Sequence, residues 1–174
     1  MKRKWFMLTL VGEDRPGIVA KTTSALFEGG CNLGEASMMR LGGNFAVMLM
    51  VQDAGSARSL AALVEPVAES LGLHLHVDPI EGWLHRHLVP DVRVTVFGAD
   101  RAGIVAQVAG ALAEAGLNIL DLESDVAGSE TDPVYIMHIE GQAREGVPAL
   151  RSALAALERG DIEVEVEPID TLIG

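Results

Sequence analysis

The chain has 174 residues, with 13 Lys and Arg against 25 Asp and Glu, and therefore carries a formal net charge of −12. Its 49% apolar content and ordinary charge density are typical of a folded protein and exclude a disordered tail. So acidic a chain is not expected to bind DNA or RNA phosphates directly unless a local basic patch overrides the charge.

The first half of the chain predicts the order strand, helix, strand, strand, helix, strand. Gly42-Gly43-Asn44 predicts a hairpin turn, and Pro66 predicts a kink or a late start in the second helix. The spacing of the apolar residues predicts strands over 6–10, 33–41, 45–51 and 73–77, and helices that open at Ile18 and near Leu60.

The second half predicts the same order of elements. Gly116 is expected to end its first helix, and the polar segment 128–132 is expected to join its two middle strands. The spacing predicts strands over 92–96, 117–126, 133–140 and 162–166, a helix over 104–115, and a helix entered through Pro148.

The two halves are copies of one unit. Between residues 12–33 and 98–119, 12 of 22 positions are identical when the sequences are offset by 86 residues. The similarity returns at the end of each copy, where 77–80 matches 166–169. A shared register over this length indicates an internal duplication.

Each copy predicts a ferredoxin-like βαββαβ domain of the α+β class, with two helices on one face of a four-stranded antiparallel sheet. We expect a first domain over residues 1–80, a linker over 81–90 and a second domain over 91–174. Each domain alone has a small core.

The segment Asp14-Arg15-Pro16-Gly17-Ile18-Val19, between a strand and a helix, resembles the ACT domain, as does Gly30-Cys31-Asn32-Leu33 after that helix. The second copy carries the same pattern in 100–105 and 116–119. ACT domains are βαββαβ modules that bind amino acids and regulate metabolism. A chain of two such domains resembles the glycine cleavage system transcriptional repressor group, a likeness that rests on length and architecture alone.

The residues themselves also indicate a ligand site. A loop that leads into a helix N-terminus presents unpaired N–H groups and the positive end of the helix dipole, which suit a ligand carboxylate. Together with the resemblance, this chemistry places ligand-binding residues at Asp14, Arg15, Pro16, Gly17, Ile18, Asn32 and Leu33 in the first copy, and at Asp100, Arg101, Ala102, Gly103, Ile104, Asn118 and Ile119 in the second.

Several of these assignments have a structural alternative, and Arg15 and Arg101 either contact the ligand or are exposed or salt-bridged. Asp14 and Asp100 either accept a bond from a ligand ammonium group or act as plain N-caps. Asn32 and Asn118 are expected near the opposite end of the helix, as ligand contacts or as turn residues in a left-handed conformation. Ala102 replaces Pro16 in the second copy, which puts equal affinity of the two sites in doubt.

Other chemistry-bearing residues give weaker signals. The pairs His74/His76 and His85/His87 lack further metal ligands at a suitable spacing, so they are expected to be solvated. Cys31, the only cysteine, excludes an intramolecular disulfide and is expected to be a buried structural thiol. Trp83 is expected to wedge between the domains or to mark a partner site, and the methionines near 38–50 to fill the core or an interface.

The leading hypothesis is a non-enzymatic amino-acid sensor with two ACT domains, which regulates amino-acid or one-carbon metabolism through contact with a protein. A detached regulatory subunit of a biosynthetic enzyme remains an alternative, as does, less strongly, a small enzyme resembling acylphosphatases. We expect a glycine or serine ligand and a transcription factor or metabolic enzyme as partner. We expect no cofactor, no metal and no nucleic acid, and a possible homodimer.

The chain is also expected to be cytoplasmic and not to bind a membrane. No apolar run reaches the roughly 18–20 residues that span a bilayer. The basic N-terminus is followed by only a short apolar run and by no small-residue cleavage pattern, so a signal peptide is not expected.

Overall fold

The computed structural model describes residues 3–53, 55–81, 88–99, 102–129, 132–158 and 162–169. The chain divides into two compact units, residues 1–85 and 86–174. The expected linker over 81–90 lies mostly outside the described residues. None of the helices built from the described residues is long and apolar enough to cross a membrane.

Unit 1 is a four-stranded antiparallel sheet with the strand order β2-β3-β1-β4 and two helices. The Gly42-Gly43 turn between β2 and β3 has φ values of +56° and +76°, as the predicted hairpin requires. The elements are β1 (Lys4–Glu13), α1 (Ile18–Glu28), β2 (Asn32–Leu41), β3 (Asn44–Asp53), α2 (Ala57–Leu71) and β4 (His74–Ile80).

Unit 2 repeats this topology with the strand order β6-β7-β5-β8. The predicted fold class, two ferredoxin-like βαββαβ domains, is therefore confirmed. The elements are β5 (Val92–Ala99), α3 (Ile104–Glu114), β6 (Leu117–Ser129), β7 (Asp132–Ala143), α4 (Val147–Leu154) and β8 (Ile162–Pro168).

Alternating apolar residues of the central strands bury one face of each sheet against its helices. In β1 the buried side chains are Phe6, Leu8 and Leu10, while Trp5 and Met7 face away from the core. α1 contributes the stripe Ile18, Thr22 and Leu26, whose spacing of four residues keeps it on one helix face. In α3 the corresponding stripe is Ile104, Val108 and Leu112.

The second helix of unit 1 starts earlier than Pro66 suggested. Ser56 caps α2, because its hydroxyl accepts from the Ser59 amide at 3.2 Å and Ser59 Oγ accepts from the Ser56 amide at 2.8 Å. α2 therefore begins at Ala57 and contains Pro66 in its interior. The predicted late start is wrong, because a strong capping box begins the helix well before the proline.

A register shift interrupts the edge strand of each sheet near its start. In β2 the shift lies between Leu33 and Ala36, and in β6 between Ile119 and Asp121. A Cβ at Gly141, opposite the second shift, would lie 2.4 Å from the carbonyl oxygen of Asn118. The glycine permits the backbones to approach closely at this irregular pairing.

We predict that Thr22→Val stabilises the protein, since the Thr22 hydroxyl is buried and has no hydrogen-bond partner among the residues that the structure describes. The expected gain is about 1 kcal/mol in the free energy of unfolding, measured by urea denaturation. The matched reverse change in unit 2, Val108→Thr, is expected to cost about 1–3 kcal/mol. A lower free energy of unfolding in Thr22→Val would contradict the conclusion that this hydroxyl is buried and unpaired.

We predict that Gly141→Ala lowers the free energy of unfolding by about 1–3 kcal/mol, because the new methyl group meets the backbone of β6. Gly110→Ala in α3 is the matched control, since a Cβ at Gly110 would have no neighbour within 4 Å in the described part of the chain. That control is expected to gain up to about 1 kcal/mol from helix propensity. Equal effects of the two changes in thermal denaturation would refute the close approach at Gly141.

Candidate functional site

The loop between β1 and α1 contains four of the predicted site residues of unit 1, and a fifth, Ile18, is the first residue of α1. Gly17 is the N-cap of α1 with φ +89° and ψ 0°, a left-handed conformation that favours glycine. Its carbonyl accepts the first helical bond from the Lys21 amide at 2.9 Å. No side chain among the described residues caps α1, so the N–H groups of the first turn carry the positive end of the helix dipole toward this loop.

Asp14 is held on the hairpin and does not cap the helix. Its amide donates to the Gly43 carbonyl at 3.1 Å, and its Oδ2 lies 2.6 Å from Arg40 Nε. The N-cap alternative for Asp14 is therefore wrong, because the chain turns into the helix at Gly17, three residues later. The Arg40 guanidinium neutralises the Asp14 carboxylate, whose side chain remains 26% exposed.

The other residues of this loop differ in their surroundings. Arg15 pairs with Glu13 at 2.6 Å and is exposed, and Pro16 is exposed at the turn. The Ile18 side chain belongs to the core. Within the loop, Arg15, Pro16 and Gly17 are therefore the residues exposed to solvent.

Unit 2 repeats the glycine turn. Gly103 caps α3 with φ +89° and ψ −2°, and its carbonyl accepts from the Gln107 amide at 2.9 Å. Ala102 is exposed beside it, and Ile104 is buried in the core. The remaining predicted residues of this loop, Asp100 and Arg101, lie outside the described residues.

The predicted asparagines lie at the other end of each helix. Asn32 and Leu33 open β2, and Asn118 and Ile119 lie at the start of β6. None of the described residues other than glycine has a positive φ, so the left-handed turn alternative for both asparagines is wrong. The 11 residues of α1 separate Gly17 from Asn32 by about 16 Å at 1.5 Å per residue.

A cavity of about 530 Å³ surrounds Asn32 in unit 1. Asn32 Nδ2 donates to Gln52 Oε1 at 3.4 Å, across the β2–β3 pair. Phe27, at the end of α1, is 81% exposed, and Leu33 is 45% exposed. The lining residues are Trp5, Thr23, Phe27, Cys31, Asn32, Leu33 and Gln52.

Sequence reasoning found only two of these seven lining residues, Asn32 and Leu33. Trp5 pairs with Gln52 across β1 and β3, so its place at the cavity depends on strand register. Phe27 gave a usable signal, since an aromatic residue on the polar side of an amphipathic helix is unusual in a chain with 4% aromatics.

Cys31 has the chemistry of a structural thiol. Burial raises its pKa above the ordinary value, the Asp53 carboxylate raises it further, and Arg3 partly opposes this. The thiol is therefore protonated near neutral pH, and a protonated thiol is a poor nucleophile. The expectation of a buried, unpaired cysteine is confirmed.

The predictions for the histidine pairs, Trp83 and the methionines each have their own outcome. His76 pairs with Asp78 at 2.9 Å on the exposed strand β4, and no group of three or more metal-binding side chains forms among the described residues. His85, His87 and Trp83 lie outside the described residues. Met50 is buried, whereas Met38, Met39 and Met48 are exposed, so the core alternative is wrong for these three and the interface alternative stays a prediction.

These two folded units define the class of protein. Residues 4–78 and residues 92–159 each match a family model described as the ACT domain. The chain belongs to the ACT-domain family and carries two ACT domains in tandem, as its glycine loops and strand order indicate.

Individual relatives extend the comparison. Over 72 residues the chain is 36% identical to the UPF0237 protein YjhC of Lactococcus lactis, covering 41% of this chain and 83% of that protein. An unknown protein from Galdieria sulphuraria has a similar structure, with a TM-score of 0.74, 24% identity and coverage of 97% and 99% of the two chains. The structure of a candidate glycine cleavage system transcriptional repressor is also similar, with a TM-score of 0.69 and 17% identity. The match covers 98% of this chain and 100% of that chain.

We predict that Cys31 of the native protein reacts several-fold more slowly with iodoacetamide at pH 8 than Cys31 of the chain unfolded in urea. Burial limits access, and the raised pKa lowers the thiolate fraction. Because Cys31 is the only cysteine, mass spectrometry of the intact chain measures the rate directly. Equal rates in the two states would contradict the buried thiol.

Proposed function

We propose that this protein is a non-enzymatic regulator that binds a free amino acid and acts through contact with another protein. Two tandem ACT domains support this role. The fold is similar over nearly its whole length to that of a candidate glycine cleavage system transcriptional repressor. The function we favour is a regulator that resembles this glycine cleavage system transcriptional repressor.

The observation that carries the proposal is the glycine-capped start of α1. Backbone N–H groups of the first helical turn and the helix dipole form a site for a carboxylate, the group that all amino acids share. Unit 2 has the same turn at Gly103. Arg15 lies in the loop of unit 1, where Glu13 offsets its charge, so the backbone N–H groups and not a side chain supply the attraction for a carboxylate.

The two groups of proposed site residues in unit 1 lie at opposite ends of α1. A small amino acid cannot span the roughly 16 Å between Gly17 and Asn32. A site that uses both ends therefore needs a further protein surface, and we propose that a second copy of the chain supplies it, with the loop of one copy facing Asn32 of the other. This requirement supports the proposed homodimer.

Acidic and apolar surfaces support a protein partner over nucleic acid. Arg93 lies among carboxylates on the open face of the unit 2 sheet, where it pairs with Glu140 at 2.6 Å. Such a face repels phosphates. The exposed Met38, Met39 and Met48 in unit 1 offer adaptable apolar contacts to a protein. We place this activity in the cytoplasm, without a membrane or a cofactor.

The proposed mechanism is a shift of population. An amino acid that binds one arrangement of the protein more tightly stabilises that arrangement, and the surface offered to the partner changes with it. The partner is a transcription factor or a metabolic enzyme. A detached regulatory subunit of a biosynthetic enzyme would use the same site, and the identity of the partner distinguishes the two roles.

Isothermal titration with the twenty amino acids, glycine and serine first, tests the proposal. We expect at least one to bind with a dissociation constant at or below the millimolar range. Gly17→Ala is expected to weaken binding, because alanine is strained at φ +89° and displaces the loop backbone. No detectable binding at millimolar ligand would refute the amino-acid sensor.

A further inference from the structure

The loop that enters α1 in unit 1 is joined to the β2–β3 hairpin by two bonds. The Asp14 amide donates to the carbonyl of Gly43, in the hairpin turn, at 3.1 Å. Asp14 Oδ2 lies 2.6 Å from Nε of Arg40, on the edge strand β2. The first residue of the loop is therefore fixed to the hairpin, although β1 and β2 are not neighbours in the sheet.

The last residue of the loop is fixed to the helix. The Gly17 carbonyl accepts the first helical bond from the Lys21 amide at 2.9 Å. Only Arg15 and Pro16 lie between Asp14 and Gly17, and the proline ring restricts the backbone of both. A displacement of Gly17 is therefore expected to reach Asp14, because the two connecting residues have little freedom to compensate for it.

Arg40 lies beside exposed apolar side chains of the hairpin. Met39 precedes it in the chain, and Met38 shares its sheet face, two residues away. Met38 is 59% exposed and Met39 is 61% exposed. A change in the position of Arg40 therefore changes the surface that these two methionines form, which is part of the surface that the proposed function assigns to a protein partner.

The residues that make this connection are replaced in unit 2. In the register of the two sheets, Val126 takes the position that Arg40 has in unit 1. A valine side chain cannot pair with a carboxylate. Ala102 takes the place of Pro16, so the backbone between the two ends of the loop is also less restricted.

We propose that Arg40 is a positioning residue, which holds Asp14 and thereby couples the glycine loop of unit 1 to the methionines of the β2–β3 hairpin. Because Val126 and Ala102 replace the coupling residues in unit 2, unit 1 transmits ligand binding to the partner surface and unit 2 does not. The inference rests on the proposed function and names the regulation of its site.

The Asp14–Arg40 pair can be removed without unfolding the domain. The Arg40 side chain is 69% exposed and that of Asp14 is 26% exposed, and ion pairs this open to solvent contribute little to stability. Arg40→Val gives unit 1 the residue of unit 2. This variant is expected to keep the circular dichroism spectrum of the wild type and a thermal midpoint close to it.

Amide hydrogen exchange of the full chain tests the connection without a ligand. In Arg40→Val, the protection of the Asp14 amide is expected to fall at least about fivefold, while the Gln107 amide at the matching turn of unit 2 is unchanged. Arg40→Lys is expected to preserve most of the protection, because it retains the charge. Arg58→Ala removes an exposed arginine on α2 and is the control, with no expected effect.

A double-variant cycle tests whether Arg40 acts through Asp14. Asp14→Asn removes the carboxylate and is expected to lower the protection of the same amide as much as Arg40→Val does. The double variant is expected to have no larger effect than either single variant, because both changes remove one interaction. Additive effects in the folded variants would overturn the proposal.

Sodium acetate serves as the probe of the carboxylate site and tests the coupling. In the NMR spectra of the wild type, acetate is expected to shift the amide signals of residues 18–21 and the isotope-labelled methyl signals of Met38 and Met39. Met137, in the core of unit 2, is expected not to respond. Sodium chloride at the same ionic strength is the control for a general salt effect.

The coupling variant separates the two kinds of signal. In Arg40→Val the acetate shifts at residues 18–21 are expected to remain, because those N–H groups belong to the helix. The shifts of Met38 and Met39 are expected to fall at least about threefold. Loss of the fold would lower both kinds of signal together, whereas loss of the coupling lowers only the methionine shifts.

The outcomes distinguish this inference from the function on which it rests. Methionine shifts in folded Arg40→Val equal to those of the wild type, no methionine shifts in the wild type, or unchanged protection of the Asp14 amide would overturn the coupling. Each of these results would leave the amino-acid regulator intact. No acetate shifts at residues 18–21 of the wild type would overturn the carboxylate site on which both proposals rest.

Discussion

The turn from the first strand into the first helix is the constraint on which each unit depends. Gly17 and Gly103 both have a φ of +89°, a backbone conformation in which any residue with a side chain would be strained. Because the chain reverses there within a few residues, α1 begins with Ile18 already in the core and keeps Thr22 and Leu26 on the sheet. Among the described residues no side chain caps the first helical N–H groups, so one backbone conformation provides both the packing and the chemistry that the proposed carboxylate site uses.

The length of the helix that follows sets the geometry of any ligand site. Eleven residues of α1 carry the chain away from Gly17, and the sheet begins again at Asn32. The two motifs that resemble the ACT domain, residues 14–19 and 30–33, are close in the sequence. In the folded unit they lie at opposite ends of α1. A small ligand bound at one end of α1 makes no contact with the residues at the other end. The two ends are therefore separate candidate sites, each with its own chemistry.

The sequence predicts the fold because its signals are local. Glycines at fixed offsets and alternating apolar residues determine the strands and helices, and the duplication supplies each signal twice. The cavity beside Asn32 is not local. It depends on the register that places Trp5 opposite Gln52 and on the shift between Leu33 and Ala36, and neither follows from periodicity. Asp14 was misjudged as a possible cap for the same reason, since its partner Arg40 arrives from the hairpin.

The two copies have kept a common core and have acquired different surfaces. On the open sheet face of unit 2, Glu163, Glu165 and Glu167 are exposed beside the carboxylates of β6 and β7. In unit 1 the exposed hairpin carries methionines. Two faces of like charge repel each other at close range, so self-association through the sheet face of unit 2 is disfavoured. The net charge of −12 is concentrated in residues 86–174, which hold 16 acidic and 6 basic residues, so the exposed methionines lie in the less acidic half of the chain.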